Sequence, residues 1–212
     1  MEYLDTYDEN KNFLGKERRD KVHNDALWHN TVHCWLYDSK GNIYFQIRSN
    51  VQSFSANSFY TTASGHVLAG ETIKEAFGRE IKEELGVSID YDKAQLVDVV
   101  IWKMDKEKDD GTVFRDRAFA NIYVYKYDDE DYNKFNFDNE LDGFVKVNAK
   151  EALELFKNEK GVIPAEIISK TIDGNIKTNR DVDFKEFLVY KHETALEKYG
   201  DVLNKVIDLT KE

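Results

Sequence analysis

One stretch of the chain, GHVLAGETIKEAFGREIKEELGV from Gly65 to Val87, constrains the fold more than any other. Thr72 to Leu85 has no proline and is rich in helix formers, and Gly86 follows directly as the residue suited to a left-handed stop. The spacing therefore predicts a helix over 72–85, with Gly78 as an internal weak point. At about 100° per residue, Ile73, Ala76, Phe77, Ile81 and Leu85 form one broad apolar stripe. Glu80 and Glu84 fall inside that arc and Glu83 lies at its edge, while Glu75, Arg79 and Lys82 mark the face expected toward solvent. Like charges at these spacings repel by roughly a few tenths of a kcal/mol per pair. A merely solvated acidic face would lie opposite the stripe, and these carboxylates do not. Anions turned toward the body of a fold need compensation. A hard divalent cation such as Mg²⁺ supplies it, because such ions take oxygen ligands and are held by a few carboxylates plus substrate phosphates.

Composition narrows the partners. The 41 acidic against 30 basic side chains give a net charge of −11, which argues against a nucleic-acid polymer or an anionic membrane as partner. An anionic small molecule would need a local basic cluster or a metal. Cys34 is the only cysteine, so an intrachain disulfide and a thiolate-rich zinc site are both excluded. The first residues, MEYLDTYDENKN, lack the basic and apolar regions of a signal peptide. No apolar run approaches the ~20 residues of a membrane span. A cytoplasmic location follows as the expectation.

Along the chain, EYLDTYDENKNFLGKERR reads as two short strands around a polar turn at Asp8–Asn12. HNTVHCWLYDSKGNIYFQIRS reads as a hairpin ending in a strand from Ile43 to Arg48. A polar loop is expected at Ser49–Ser58 and a short strand at Phe59–Ala63. QLVDVVIWKMD and DRAFANIYVYKY are β-rich runs joined by a charged loop at Lys106–Thr112, and the acid-rich segment containing Asp128–Asp131 reads as a solvated connection. LDGFVKV is a strand, AKEALELFKN an amphipathic helix, and HETALEKYGDVLNKVIDLT a closing helix interrupted by Gly200. The sum is an α+β fold with many non-local strands. Its expected organisation is one domain over 1–160 and a helical C-terminal extension over 161–212, packed on the same domain.

The glutamate segment also resembles the signature of the Nudix hydrolases without a gap. It runs Gly65, five residues, Glu71, seven residues, Arg79-Glu80, Ile81, any residue, Glu83-Glu84, any residue, Gly86, Val87. The resemblance implies an α/β/α sandwich around a mixed β-sheet and hydrolysis of a nucleotide, or of a nucleoside diphosphate linked to another moiety, with Mg²⁺ or Mn²⁺. It implies that Glu80, Glu83 and Glu84 hold the metal and that the carbonyl at or before Gly65 completes the shell. Glu80 would also orient or deprotonate water, and Arg79 and Glu71 would position the helix.

Residues 1–150, through VHNDALWH and ASGHVLAGE, are further similar to the Nudix branch containing type I isopentenyl-diphosphate isomerases. There, two upstream histidines and the Gly-His histidine hold a metal; His23, His29 and His66 occupy similar places, with the first spacing one residue short. Structural strand or loop histidines are the competing reading. The isomerases carry a cysteine where this chain has Ser64, and a paired acid where it has Arg115-Asp116-Arg117. Alkene protonation and allylic deprotonation need two positioned acid/base groups, so their replacement favours hydrolysis. Arg48, Arg115, Arg117 and His66 are candidate substrate contacts. Asp116, Asp142 and, ahead of them, Glu140 are candidates for an extra ligand or base. Trp28, Trp35, Phe59 and Trp102 could stack a base, although core packing is their default role. The partner expected is a small-molecule diphosphate; a homodimer is compatible with the sequence. A module that senses a nucleotide without cleaving it is the rival from another class, and loss of motif glutamates, its sequence mark, is not seen.

Overall fold

Period-two alternation builds most of the molecule. The computed structural model describes residues 2–50, 56–107, 111–128, 131–188 and 193–211. Parts of the loops expected at Ser49–Ser58, Lys106–Thr112 and Asp128–Asp131 lie outside the described residues. The expected N-terminal ribbon is present as β1 (Tyr3–Tyr7) and β2 (Phe13–Arg18), antiparallel, with the Asp8 carboxylate accepting from Asn10 N and Asn12 N in the turn. A short helix, α1 (Arg19–Asn24), follows.

The main sheet comprises β3 (His29–Tyr37), β4 (Asn42–Arg48), β5 (Phe59–Tyr60), β6 (Ala63–His66), β7 (Gln95–Glu107), β8 (Val113–Lys126), β9 (Leu141–Asn148), β10 (Val162–Thr171) and β11 (Gly174–Asp183). Its long path runs β11-β10-β9-β4-β3-β8-β7, with β5 on β4 and β6 on β3. The β3–β8 pair is parallel and the other described pairs are antiparallel, so the sheet is mixed. Helix α2 (Ile73–Leu85) covers one face through Phe77, Ile81 and Leu85, which pack with Val32, Leu36 and Phe144. Helices α3 (Ala149–Asn158) and α4 (Glu193–Leu209) cover the other, where Phe156, Tyr199 and Val206 meet Trp35 and Phe45. Each such aromatic or aliphatic side chain contributes about 1.5–3 kcal/mol on burial. Both faces of the central strands are thus covered over Cys34–Tyr37 and Ile43–Phe45, which read as short continuous apolar runs rather than strict alternation.

One irregularity positions the site. β3 and β4 are registered to one another only at Tyr37 and Ile43. Beyond that point β6 pairs with β3, placing Ser64 opposite His33, Gly65 opposite Val32 and His66 opposite Thr31. The Gly-His pair is thereby held at the mouth of the opening, against the helix carrying the glutamates.

Among the described residues of 161–212, expected to be helical, α-helix is confined to α4, with one 3-10 turn at Phe184–Glu186. Val162–Asp183 forms the β10–β11 hairpin, and β10 adds to β9. Ile163, Ala165 and Ile167 alternate toward the core, but β11 is an edge strand whose NIKTNRD run is largely exposed and polar. An edge strand with one solvated side has no apolar alternation to announce it.

Candidate active site

Local sequence fixes the helix first. The Thr72 hydroxyl accepts from Glu75 N at 3.2 Å and the Glu75 carboxylate accepts from Thr72 N at 2.8 Å, a reciprocal cap that contributes about 1 kcal/mol. Gly86 ends the helix at φ 73°. Arg79 is not on a solvated face as helical periodicity suggested: it bends back under the helix and is half-buried. Its Nε and Nη2 donate to the two oxygens of Glu71 at 2.8 and 2.9 Å, and Nη2 also donates to the His66 carbonyl at 2.8 Å. Its Nη1 donates to Glu80 at 2.7 Å and to Glu83 at 3.1 Å. Glu71 in turn accepts from Leu68 N. These bonds raise the guanidinium pKa further, chiefly through Glu71.

Glu80 lies directly against Gly65. A Cβ at that glycine would stand 2.0 Å from the Glu80 carboxyl carbon, so the residue must lack a side chain for the carboxylate to sit there. Burial raises the Glu80 pKa against the opposing pull of Arg79. Glu84 as a whole is half-buried with its carboxyl at the inner end, where it accepts from Ser64 N at 3.2 Å, its one hydrogen bond among the described residues. Burial, then the neighbouring Glu80 charge, pushes its pKa well above the usual carboxylate range. Glu83 is more exposed. Two inward carboxylates so sparsely compensated, beside a backbone carbonyl at Gly65, make an all-oxygen donor set that fits Mg²⁺ or Mn²⁺.

These glutamates line an open pocket of about 330 Å³ together with Arg48, Tyr60, His66 and Asp116. The Arg48 guanidinium lies 5.7 Å from the Tyr60 ring centroid, and burial pushes the Tyr60 phenol up to about 12. Glu140 also reaches the pocket, beside Asp138, whose carboxylate accepts from Glu140 N at 2.8 Å. Asp138 is raised by burial. Sequence reasoning passed over Asp138, Tyr60, Thr31 and His33. An acid in an acid-rich loop and residues inside strand patterns carry no local signal of function.

Two proposed phosphate contacts are not brought to the pocket. Alternation sets Arg115 and Arg117 on one side of β8 and Asp116 on the other, and it is Asp116 that faces the pocket. Arg115 Nη1 donates to the Asn24 carbonyl, and Arg117 bridges to Asp105 at 2.5 Å across the β7–β8 ribbon. Trp35 and Phe59 are buried in the core and Trp28 stacks on Phe119, as their default role required.

A second cluster stands at the pocket edge. One ring nitrogen from each of His23, His29 and His66 lies within 4.8 Å of the others. His23 Nδ1 is 3.1 Å from the Arg115 carbonyl and His29 Nδ1 is 3.2 Å from the Leu27 carbonyl, which orients both Nε2 atoms inward. The two Nε2 atoms of His23 and His66 are 3.1 Å apart. His29 Nε2 and Asp116 Oδ1 approach to 3.4 Å, and both are buried without a hydrogen bond. Burial lowers the pKa of His29 to about 4 and that of His66 well below the usual value, and raises Asp116 to about 6. Three imidazoles with a carboxylate, two of their atoms orphaned, fit a divalent transition-metal ion.

Comparison with known proteins bears on the family and the fold. The family model for the NUDIX domain matches residues 27–166. An uncharacterised Nudix hydrolase of Clostridium acetobutylicum is 30% identical over 197 residues, 90% of this chain and 92% of its own length. An isopentenyl-diphosphate Delta-isomerase of Serratia proteamaculans is 30% identical over 87 residues, covering 41% of this chain and 49% of its own. Among solved structures, a protein of Deinococcus radiodurans shares the fold with a TM-score of 0.54 at 23% identity, over 74% of this chain and 90% of that one. No helix of the described residues is long and apolar enough to cross a membrane.

Proposed function

The chain belongs to the Nudix hydrolase family, and on that premise we propose that it is a divalent-metal-dependent diphosphatase in which water attacks phosphorus of a nucleotide or a nucleoside diphosphate derivative. Family members generally act on nucleoside diphosphate-linked small molecules. The observation that carries the reading is the gathering of Glu80, Glu83 and Glu84 in one pocket with Gly65 and Arg48. Glu80, Glu83, Glu84 and the Gly65 carbonyl would hold Mg²⁺ or Mn²⁺. When bound, the cation neutralises the diphosphate and acidifies the attacking water. Arg79 positions Glu80 and Glu83 through its Nη1 and is anchored by Glu71. Arg48 is placed to contact phosphate, and Glu80 is the first candidate to take the water proton, with Asp138 and Glu140 as further acids at the rim. The acids would titrate as one coupled set.

The test is ³¹P NMR with Mg²⁺ and a panel of nucleoside di- and triphosphates, nucleotide sugars, dinucleotides and isopentenyl diphosphate. New phosphate or monophosphate resonances are expected from one class, and Glu83→Gln should cut that turnover by orders of magnitude while leaving the fold intact. Near-normal turnover of the variant at saturating Mg²⁺ would sink the assignment.

One observation favours a second reading. The histidine cluster with Asp116 supplies a metal-binding set like that which the resemblance to prenyl-diphosphate isomerases implies, and Asp116, at about 6, is a buried acid poised to exchange a proton. Ser64 in place of the cysteine weighs against it. Dimethylallyl product in a parallel proton spectrum, without phosphorus release, would decide for isomerisation.

A further inference from the structure

The acids and Arg48 account for the charged part of a substrate but leave one wall of the pocket unassigned. That wall is β3. Thr31 and His33 lie two residues apart on one side of the strand, between His29 of the metal-binding cluster and Trp35 of the core. Both line the pocket. His33 is opposite Ser64, the residue before Gly65, so it stands one strand spacing, about 4.8 Å, from the backbone that meets Glu80 and Glu84.

Neither side chain is satisfied by the protein. The Thr31 hydroxyl, on a residue 8% exposed, has no hydrogen-bond partner. Among the described residues His33 makes no hydrogen bond through its ring; its contact is with the Tyr60 ring, edge-on at 6.2 Å between centroids. On its far side His33 borders an apolar cavity lined by Trp35, Trp102 and Val202. A strand interior normally fills a position such as that of Thr31 with an apolar residue, because a buried polar group left unmet costs stability; His33 is half-buried at the pocket wall. Burial holds the imidazole pKa near 4, so at neutral pH the ring offers one donor and one acceptor and no charge.

We propose that Thr31 and His33 are the specificity residues with which this pocket reads the hydroxyl-bearing sugar of a nucleoside diphosphate, beside the Tyr60 ring and one strand away from the phosphate machinery. The inference rests on the diphosphatase reading and deepens it. A prenyl chain has no group to meet these atoms, and inorganic diphosphate does not extend to them. The ribose hydroxyls can give and accept the bonds that both side chains lack.

Calorimetric titration of the full chain in Mg²⁺ tests it with two kinds of non-hydrolysable probe: nucleotides, as the α,β-methylene analogues of ADP and CDP, and methylenediphosphonate. At least one nucleotide analogue should bind about tenfold or more tightly than methylenediphosphonate. His33→Ala should weaken that nucleotide about tenfold, the worth of one hydrogen bond, and leave methylenediphosphonate unchanged. His33→Gln, which keeps a donor and an acceptor, should recover part of the loss. Thr31→Val, nearly isosteric, should show the same selective loss if His33→Ala does not fold. Arg48→Ala should weaken both probes together. Equal losses on both probes, no loss, or a wild-type protein that does not prefer the nucleotide would overturn the proposal. Failure of the diphosphatase reading would look different: the wild type would release no phosphate or monophosphate from any nucleotide in the panel while the nucleotide preference and its dependence on His33 stayed in place.

Discussion

Replacing Gly65 by alanine isolates the contact on which the acidic site depends. The new methyl would begin 2.0 Å from the Glu80 carboxyl carbon and 2.1 Å from Oε1, where ordinary contact starts at 3.4 Å. The carboxylate must therefore retreat by about 1.4 Å. What the methyl meets is the end of a flexible side chain rather than backbone, so Glu80 can swing away while β6 and α2 stay in place. Stability should change by less than about 1 kcal/mol, a Tm shift under about 3 °C. A misplacement of this size costs about a hundredfold in rate, or about 2.7 kcal/mol of transition-state stabilisation. The assay is steady-state phosphate release on whichever nucleotide the wild type cleaves, paired with Mn²⁺ binding followed by electron paramagnetic resonance. Turnover and Mn²⁺ affinity should fall together at nearly constant Tm. Wild-type turnover with wild-type Mn²⁺ affinity would show that Glu80 has no need of its place beside Gly65, and the ligand assignment would fail.

Arg79→Lys keeps the charge but loses the fork to Glu71 and the bond to the His66 carbonyl. We expect about 2 kcal/mol of destabilisation in urea melts and at least a tenfold loss of turnover; an unchanged variant would contradict the positioning role. Gly143 adopts φ 146° in β9, and a Cβ there would lie 1.9 Å from the Ile168 carbonyl oxygen of β10. Backbone cannot step aside as a side chain can, so Gly143→Ala should cost at least about 2 kcal/mol by chemical denaturation, and a loss under about 0.5 kcal/mol would refute the close approach. His33 binds its proton less readily folded, at about 4, than unfolded, at 6.5. The unfolded chain thus holds more protons between these values, and stability must fall as pH drops from 6.5 toward 4, by an amount on the order of 3 kcal/mol. His33→Gln should flatten that part of the stability–pH curve, and an unchanged slope would place the titration elsewhere.

What the sequence disclosed follows the range of the interactions involved. Helix α2 was legible because its stripe and its Gly86 stop both lie within about four turns of chain. The inward turn of Glu80 and Glu84 was legible because helical geometry alone puts them within the apolar arc, with Glu83 at its edge. Arg79 was misplaced because its partner Glu71 precedes the helix, and only the loop's return brings that carboxylate beneath it. Alternation puts Arg115 and Arg117 on the same side of β8, yet it cannot say which side a pocket occupies; tertiary pairing decides that, and it is Asp116 that lines the pocket. The histidine cluster draws on α1, β3 and β6, three segments joined only by tertiary pairing. β11 escaped notice because an edge strand is written in polar residues.

The Arg79 guanidinium holds the backbone of His66 with one nitrogen and the carboxylates of Glu80 and Glu83 with another. The histidine cluster and the acidic cluster therefore share a pivot. Were a cation to draw Glu80 or Glu83 away from Arg79, the guanidinium would keep only Glu71 and the His66 carbonyl as partners, and a change at one cluster would be felt at the other. Thermodynamic reciprocity then requires that whatever factor a cation at one cluster imposes on affinity at the other be returned unchanged in the opposite direction. Occupancy of this protein would be set by the two cations jointly, and a binding curve measured with either alone would describe a different molecule from the one that works with both.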